Sequence, residues 1–541
     1  MKRTMTTFFL LVTLLAQSIK LHSQKHKTAI LNKVDAIFTS HFNNKGAGGA
    51  LVVLQDNNVV FKKTMGLANI EYQVPATHKT VFNIASNSKQ FTSLLALILV
   101  NEGKLSLHDD IRKHLPELTH IPHKVSIAQL TNHTHGLPNV DELAYLKGID
   151  RMTHQETLNM LFNIKQFNFK PGDDYQYNNT GYVLLSEIIT RVGRKPFADL
   201  LKEKIFDKFG MNDSQAVGDY KQIIPNKAYS YAATGNGYRK HPVKISTMGS
   251  SGIYTSLNDL IAWSQKFLSS NNPYRAHLDT MKVPTILNSG KKIAYGMGLQ
   301  FENYKGIDIL FHGGGTEGYR SYVLHAPKHN LSLVFLSNAG GFSGYDVTYK
   351  VLETILKAYM HSLKETSRTK DVLAFKGTYE LYPGNYYDII GSNDSLSIQI
   401  YGTKEKAVLP RIGTSTFKGP WPFSKLIFQE NGFHLRWADF SYPAKKINPI
   451  SFKNKDIDLT KFTGNYTNKA FNIRYEIKRK EHTLIIQHPL NGKTVLVPFS
   501  ETSMYAQNSS FGKIDFIIDD SGEIEGFTLS RQNLQNLLFT K

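Results

Sequence analysis

From Leu94 to Val100 the chain reads LLALILV, apolar on every side of any helix it forms. Such a helix is stable only when buried all round, so a domain has to be assembled around this segment. Its head reads FNIASNSKQ from Phe82 to Gln90 and carries Ser86, Asn87, Ser88 and Lys89, and Gly103 supplies a C-terminal stop. A lysine at the entrance of the most apolar helix loses hydration, so its presence asks for a chemical reason.

The 541 residues exceed what one hydrophobic core accommodates, and two or three domains are expected. Apolar residues recur at helical spacing over Thr28–Phe42 (Ile30, Leu31, Val34, Ile37, Phe38), predicting an amphipathic helix. GGALVVLQ and VVFKKTMG flank Asp56-Asn57-Asn58 as a hairpin. Residues 105–290 read as helix and loop, after which DILFHGG, YRSYVLHA and LSLVFLSN return as strands, followed by a helix over Tyr345–Tyr359. Strands at both ends with helices between predict an α/β (α+β) domain over residues 24–362: one antiparallel sheet built from both ends, flanked by helices, with an all-helical subdomain.

The polar stretch HSLKETSRTKD predicts a linker over 363–372, beyond which the apolar period becomes two. Phe375-Lys376-Gly377-Thr378-Tyr379 is echoed by Phe462-Thr463-Gly464-Asn465-Tyr466, an offset of 87 (462 − 375). About four strand-like runs follow each copy, so residues 373–541 are expected to form one all-β barrel of two four-stranded repeats, closure removing exposed edges.

Lys2 and Arg3, the apolar run Phe8–Ala16 and a polar exit near Ser23 have the order of a signal peptide, assigned to residues 1–23. No run is long enough for a membrane-spanning helix, so no stable membrane insertion is expected. Zero cysteines exclude disulfides, thiol catalysis and a lipid-modified cysteine. A periplasmic or secreted protein is expected. The net charge of +20 falls to +17 without Lys2, Arg3 and Lys20 (20 − 3). The excess is spread along the chain, which points to solubility rather than nucleic-acid binding.

Ser-x-x-Lys occurs five times, from Ser86, Ser289, Ser367, Ser415 and Ser510, and only the first opens a long apolar helix. At helical spacing Ser86 and Lys89 share a face. Burial lowers the lysine pKa, so the neutral amine can take the serine proton, while helix N-terminal N–H groups suit an oxyanion. The alternative is a structural pair: Ser86 capping the helix and Lys89 reaching to water. Two further stretches bear on this choice. Tyr177-Asn178-Asn179 precedes an apolar helix, and His312-Gly313-Gly314-Gly315 ends one strand before the next begins. A phenol beside a lysine can relay protons, an amide can fix a substrate carbonyl, and a glycine run lets a substrate backbone lie along a strand edge.

These stretches closely resemble the serine β-lactamase and penicillin-binding-protein superfamily, in the branch of class C β-lactamases, D-alanyl-D-alanine carboxypeptidases and esterases. The branch orders Ser-x-x-Lys, Tyr-x-Asn and often His-x-Gly, as the chain does at Ser86, Tyr177 and His312. LTNHTHGLP (130–138), IFDKFGMNDS (205–214), SSGIYTSLNDL (250–260) and YGMGLQF (295–301) are also similar, over roughly residues 28–360. The resemblance implies Ser86 as nucleophile, Lys89 as its main proton acceptor and Tyr177 as the group that protonates the leaving group, with the resting base, Lys89 or Tyr177, left open. It implies substrate binding by Asn179, His312, Gly313, Gly314 and Gly315, the N–H groups of Ser86 and Gly315 forming an oxyanion hole, and no metal or cofactor.

His312 stands where the β-lactamases have lysine, which leans the reading to peptides or amides with D-residues, or small esters, rather than β-lactams. The substrate class implied is a small molecule or peptide, including peptidoglycan fragments. The alternatives are a β-lactamase and a non-catalytic penicillin- or wall-binding protein, although the Ser, Lys and Tyr positions are intact. His135 replaces the usual serine of this loop, and His133-x-His135 lacks the Asp-His a metallo-hydrolase would add. HGGG could serve an α/β-hydrolase, yet no Gly-x-Ser-x-Gly elbow occurs. The C-terminal half resembles the lipocalin-like barrel found behind some hydrolases of this superfamily, a module that could shape the active-site mouth or act as a spacer.

Overall fold

The computed structural model describes residues 27–361, 372–392, 395–401, 406–420, 424–437, 440–447, 457–506 and 511–541. The signal peptide assigned to 1–23 lies outside the described residues, as does the expected linker apart from Val372.

The organising element is a six-stranded antiparallel sheet of β1 (Gly49–Gln55), β2 (Asn58–Met65), β3 (Gln300–Tyr304), β4 (Ile307–Thr316), β5 (Tyr319–Ala326) and β6 (Leu331–Ser337). Its order is β3-β4-β5-β6-β1-β2, so the two ends of the domain meet where β1 pairs with β6, from Gly49 against Ser337 to Gln55 against Leu331. β1 and β2 are joined by Asp56 and Asn57, both at positive φ, the two-residue turn whose twist matches a hairpin.

Both faces are covered, which is why GALVVLQ is apolar at nearly every position. Leu51 and Val53 face a core shared with Val34 and Phe38 of the helix over residues 27–39 and with Val347 and Val351. Ala50, Val52 and Leu54 point the other way, into the core around the LLALILV helix.

That helix, α1 (Ser88–Asn101), is buried from Ser88 to Leu99. Beyond it, α2 (Val140–Leu146) packs on α3 (Asn179–Gly193), which lies against α1; α4 (Leu257–Leu268) packs on β1 and β6 of the sheet, and α5 (Gly344–Leu356) backs its opposite face. Among the described residues no helix is long and apolar enough to cross a membrane.

The C-terminal region is all-β, but each repeat builds twice the expected number of strands. The first forms an eight-stranded sheet between Gly377 and Ile447, whose edge strands meet at an Arg411–Phe417 bridge. The second closes a separate eight-stranded barrel between Gly464 and Thr540. Strands such as Asn385–Ser392 (NYYDIIGS) and Gly432–Trp437 (GFHLRW) carry polar and glycine residues that mask their alternation.

The repeated motif is a corner. Phe375 and Phe462 each end a 3-10 turn, Gly377 and Gly464 both hold φ of +147°, and the tyrosine hydroxyl bonds back to the phenylalanine carbonyl. The Tyr379–Phe375 bond is 2.8 Å and the Tyr466–Phe462 bond 2.9 Å.

Candidate active site

Ser86 does not sit in α1 itself but in the 3-10 turn Ala85–Asn87 that leads into it. Ala85, just before it, adopts φ +48°, a strained conformation for a residue with a Cβ. The turn is pinned to the sheet: Ser321 Oγ donates to Ile84 O at 2.6 Å and accepts from Asn87 Nδ2 at 2.8 Å. A Cβ on Gly314 would stand 2.3 Å from Ile84 O, so the glycine run is what allows β4 to approach the serine turn.

Lys89 is 0% exposed. Its Nζ donates to Ser86 Oγ at 3.1 Å, Asn179 Oδ1 at 2.7 Å and Ser250 O at 2.9 Å. The amine also lies 4.9 Å from the Tyr177 ring centroid and 5.5 Å from that of Tyr182. Burial lowers its pKa to about 7, the Asp141 carboxylate pulling the other way. The Tyr177 phenol interacts with the Ser86 hydroxyl, and burial pushes its pKa well above 10. At neutral pH the phenol is protonated and a substantial share of Lys89 is a free amine. The amine is thus able to accept a proton and the phenol to donate one.

Asn178 caps α3 by accepting from Thr180 N and places Asn179 at the first helical position. Asn179 spends Oδ1 on Lys89 and donates Nδ2 to Asp141 Oδ2 at 2.6 Å. Asp141, exposed in the first turn of α2, was not singled out by its sequence context, because no motif of the resemblance includes it.

His312, expected to bind substrate, lies in the interior wall of the site. It is 0% exposed, its Nδ1 bonds Gly313 O at 2.6 Å, and its Nε2 accepts from Tyr295 Oη at 3.1 Å. Burial, with Lys89 adding to it, lowers the imidazole to about 3, so it is neutral and walls the site behind Tyr177. Of the glycines, Gly313 and Gly314 are buried and Gly315 is exposed. β3 ends its pairing at Gln300 opposite Phe311, while β4 continues to Thr316 along β5. The edge of β4 from His312 onward thus runs past the serine turn without a β3 partner, a place where an extended acyl group can lie.

The supporting stretches acquire individual roles. Ser250 supplies the carbonyl that holds Lys89, and a Cβ on Gly298, at φ +74°, would meet Lys89 O at 2.7 Å. His133 accepts from Asn178 N at 3.2 Å and packs tilted against the Tyr177 ring, centroids 4.4 Å apart. His135 accepts from Leu137 N at 3.0 Å and packs on Gly181, so both histidines shape the loop in front of α3.

A serine held by a buried amine, a protonated phenol and a backbone strand edge is the equipment of a serine hydrolase that works through an acyl-enzyme. The beta-lactamase family model matches residues 34–354, more than half of the chain, and the chain belongs to that family. A D-aminopeptidase of Gluconobacter oxydans is 30% identical over 298 residues, covering 54% of this chain and 56% of the relative. Penicillin-binding protein 4* of Bacillus subtilis is 26% identical over 400 residues, covering 68% and 87%. The match therefore spans little more than half the length of that D-aminopeptidase.

Among solved structures, the octameric penicillin-binding protein homologue of Pyrococcus abyssi superposes with TM-score 0.53 at 20% identity, over 87% of this chain and 99% of its own. The D-amino acid amidase of Ochrobactrum anthropi SV3 superposes with TM-score 0.52 at 22% identity, over 61% and 99%. At such identities these two establish the fold.

Proposed function

We propose that the chain is an exported serine hydrolase that cleaves amides and short peptides of D-residues carrying a free α-ammonium, with small esters as further acyl donors. The observation that carries this reading is the charge layout around Ser86. His312 is neutral and buried, so no fixed cation awaits a substrate carboxylate. Asp141 instead presents a carboxylate beside Asn179, the amide expected to hold the substrate. An ammonium next to the scissile carbonyl would bond the Asp141 carboxylate, which the Asn179 and Asn139 amides hold in place. The relatives named D-aminopeptidase support the same class.

The chemistry follows from the hydrogen bonds. Ser86 Oγ attacks the acyl carbon as its proton passes to Lys89 Nζ. The carbon–nitrogen bond breaks as Tyr177 delivers its proton to the leaving amine, and the Lys89 ammonium reprotonates the phenolate. Water then attacks the ester, one proton going to the Lys89–Tyr177 pair and from there to Ser86 Oγ. The basic-then-apolar order of residues 1–23 and the lack of cysteine support export, where peptidoglycan fragments are the available D-residue peptides.

The test is mass spectrometry after incubation with a fluorophosphonate, then turnover of D-alanine p-nitroanilide, its N-acetyl derivative, nitrocefin and p-nitrophenyl butyrate. We expect one adduct, on Ser86, and faster turnover of the free-amine anilide than of its acetylated form. No adduct, together with undiminished turnover by Ser86→Ala, would overturn the assignment.

A further inference from the structure

The closed barrel ends in a hairpin of Ile524–Arg531 and Leu534–Thr540, and the turn between them reaches the catalytic domain. Asn533 is the point of contact. Its carbonyl accepts from Asn139 N at 3.0 Å and from Asn168 Nδ2 at 2.9 Å, and its own Nδ2 donates to Tyr177 O at 2.7 Å. Gln535 N donates to Asn168 Oδ1 at 2.9 Å, so the Asn168 amide grips the hairpin at two points, Asn533 O and Gln535 N.

Each of these partners leads into the site. Tyr177 is the phenol itself, and Asn139 accepts from Asn179 N at 3.2 Å through its side chain. Two residues before the turn's Asn533, Arg531 pairs with Glu142 at 2.7 Å, both side chains 8% exposed, and its guanidinium lies 4.0 Å from the Tyr145 ring centroid. Asp141 is therefore bracketed by Asn139 and Glu142, both held by the barrel. His488, elsewhere on the barrel, bonds Tyr145 O at 2.8 Å and braces the same helix.

Half-buried amide contacts of this kind are spent here on the loop and helix that carry the acid and the proposed ammonium anchor rather than on the nucleophile. The bonds of the Lys89 amine run to Ser86, to Asn179 of α3 and to Ser250, all within the catalytic domain.

We propose that Asn533 and Arg531 are positioning residues: the terminal hairpin of the barrel holds the Tyr177 phenol and the Asp141 wall in register with a nucleophile that the catalytic domain positions by itself. The role rests on the acyl-transfer reading of the site. It makes the C-terminal barrel part of the active-site architecture, not a spacer.

The test uses the full chain carrying Asn533→Ala, with Asn168→Ala as a second variant that removes the other half of the grip. Misplacing a general acid lowers only the steps that need its proton, and ångström-scale errors cost up to ~100-fold. We expect Asn533→Ala to slow anilide hydrolysis by ~10-fold or more while hydrolysis of p-nitrophenyl butyrate, whose leaving group needs no proton, changes less than ~2-fold. Arg531→Met should raise KM for the free-amine anilide, and Arg531→Lys should recover part of the loss.

Backbone hydrogen exchange is independent of turnover. In Asn533→Ala it should rise over 168–179 and 139–146 while α1 stays protected. Unchanged exchange in those two segments, or an equal loss on anilide and ester, would overturn the proposal. A parent enzyme without turnover would instead sink the functional reading and leave the exchange result to decide this one.

Discussion

Lys89 Nζ stands 3.1 Å from the Ser86 hydroxyl on a side chain that is wholly buried, and burial is what would make this lysine a base. Its pKa of about 7 fixes the sign of the pH dependence. The amine must be unprotonated to act, so acylation should rise with pH through about 7 and level off above it. The phenol stays protonated well above 10 and His312 titrates near 3, so neither adds a limb between pH 5 and 9. Fluorophosphonate labelling rates measured across that range check this. Lys89→Arg, always charged, should label at least ~100-fold more slowly.

Asp141 makes a charge-based prediction. Replacing it with asparagine keeps a group beside Asn179 but removes the negative charge. KM for D-alanine p-nitroanilide should rise by ~10- to 100-fold, the worth of a charge-assisted hydrogen bond, while the N-acetyl substrate is nearly unaffected. Steady-state kinetics on the two anilides distinguish this from general damage, which would raise both.

Gly314 is a steric prediction. A methyl group there would lie 2.3 Å from both Ile84 O and Ser321 Oγ, so Gly314→Ala must push β4 away from the serine turn. Labelling of Ser86 should fall strongly with a stability loss of ~1–3 kcal/mol, the usual cost of overpacking. Gly315→Ala meets only Arg320 at 3.5 Å and should fold normally, which urea unfolding of the two variants would show side by side.

The two corners predict a matched pair. Tyr379→Phe and Tyr466→Phe each delete one buried hydroxyl bond to a carbonyl. Each should cost ~1–2 kcal/mol in its own eight-stranded unit, read as a shift in urea midpoint, with turnover unchanged.

The central sheet and the three motifs were legible because each follows from local pattern: period-two strands, a helix apolar on all sides, and side chains whose chemistry needs company. Three things were not. The number of strands per repeat was hidden because strands such as NYYDIIGS break the alternation with adjacent tyrosines, polar residues and a glycine. The burial of His312 depends on Tyr295, a residue from another loop, and only the folded chain brings them together. Asp141 and Asn533 belong to no motif; their meaning lies in pairings such as Asn533 with Tyr177, 356 residues apart.

Because Gly49 pairs with Ser337, the first strand of the sheet has no neighbour on its inner side until nearly the whole domain has been made. The nucleophile is synthesised early, but the strand carrying Gly314, against which its turn is fixed, comes more than two hundred residues later. Long-range pairing of this kind is slow to form. A chain halted between α4 and β4 would hold every atom of Ser86 and Lys89 but not the strand that fixes the serine turn, so the site is complete only once the sheet has closed.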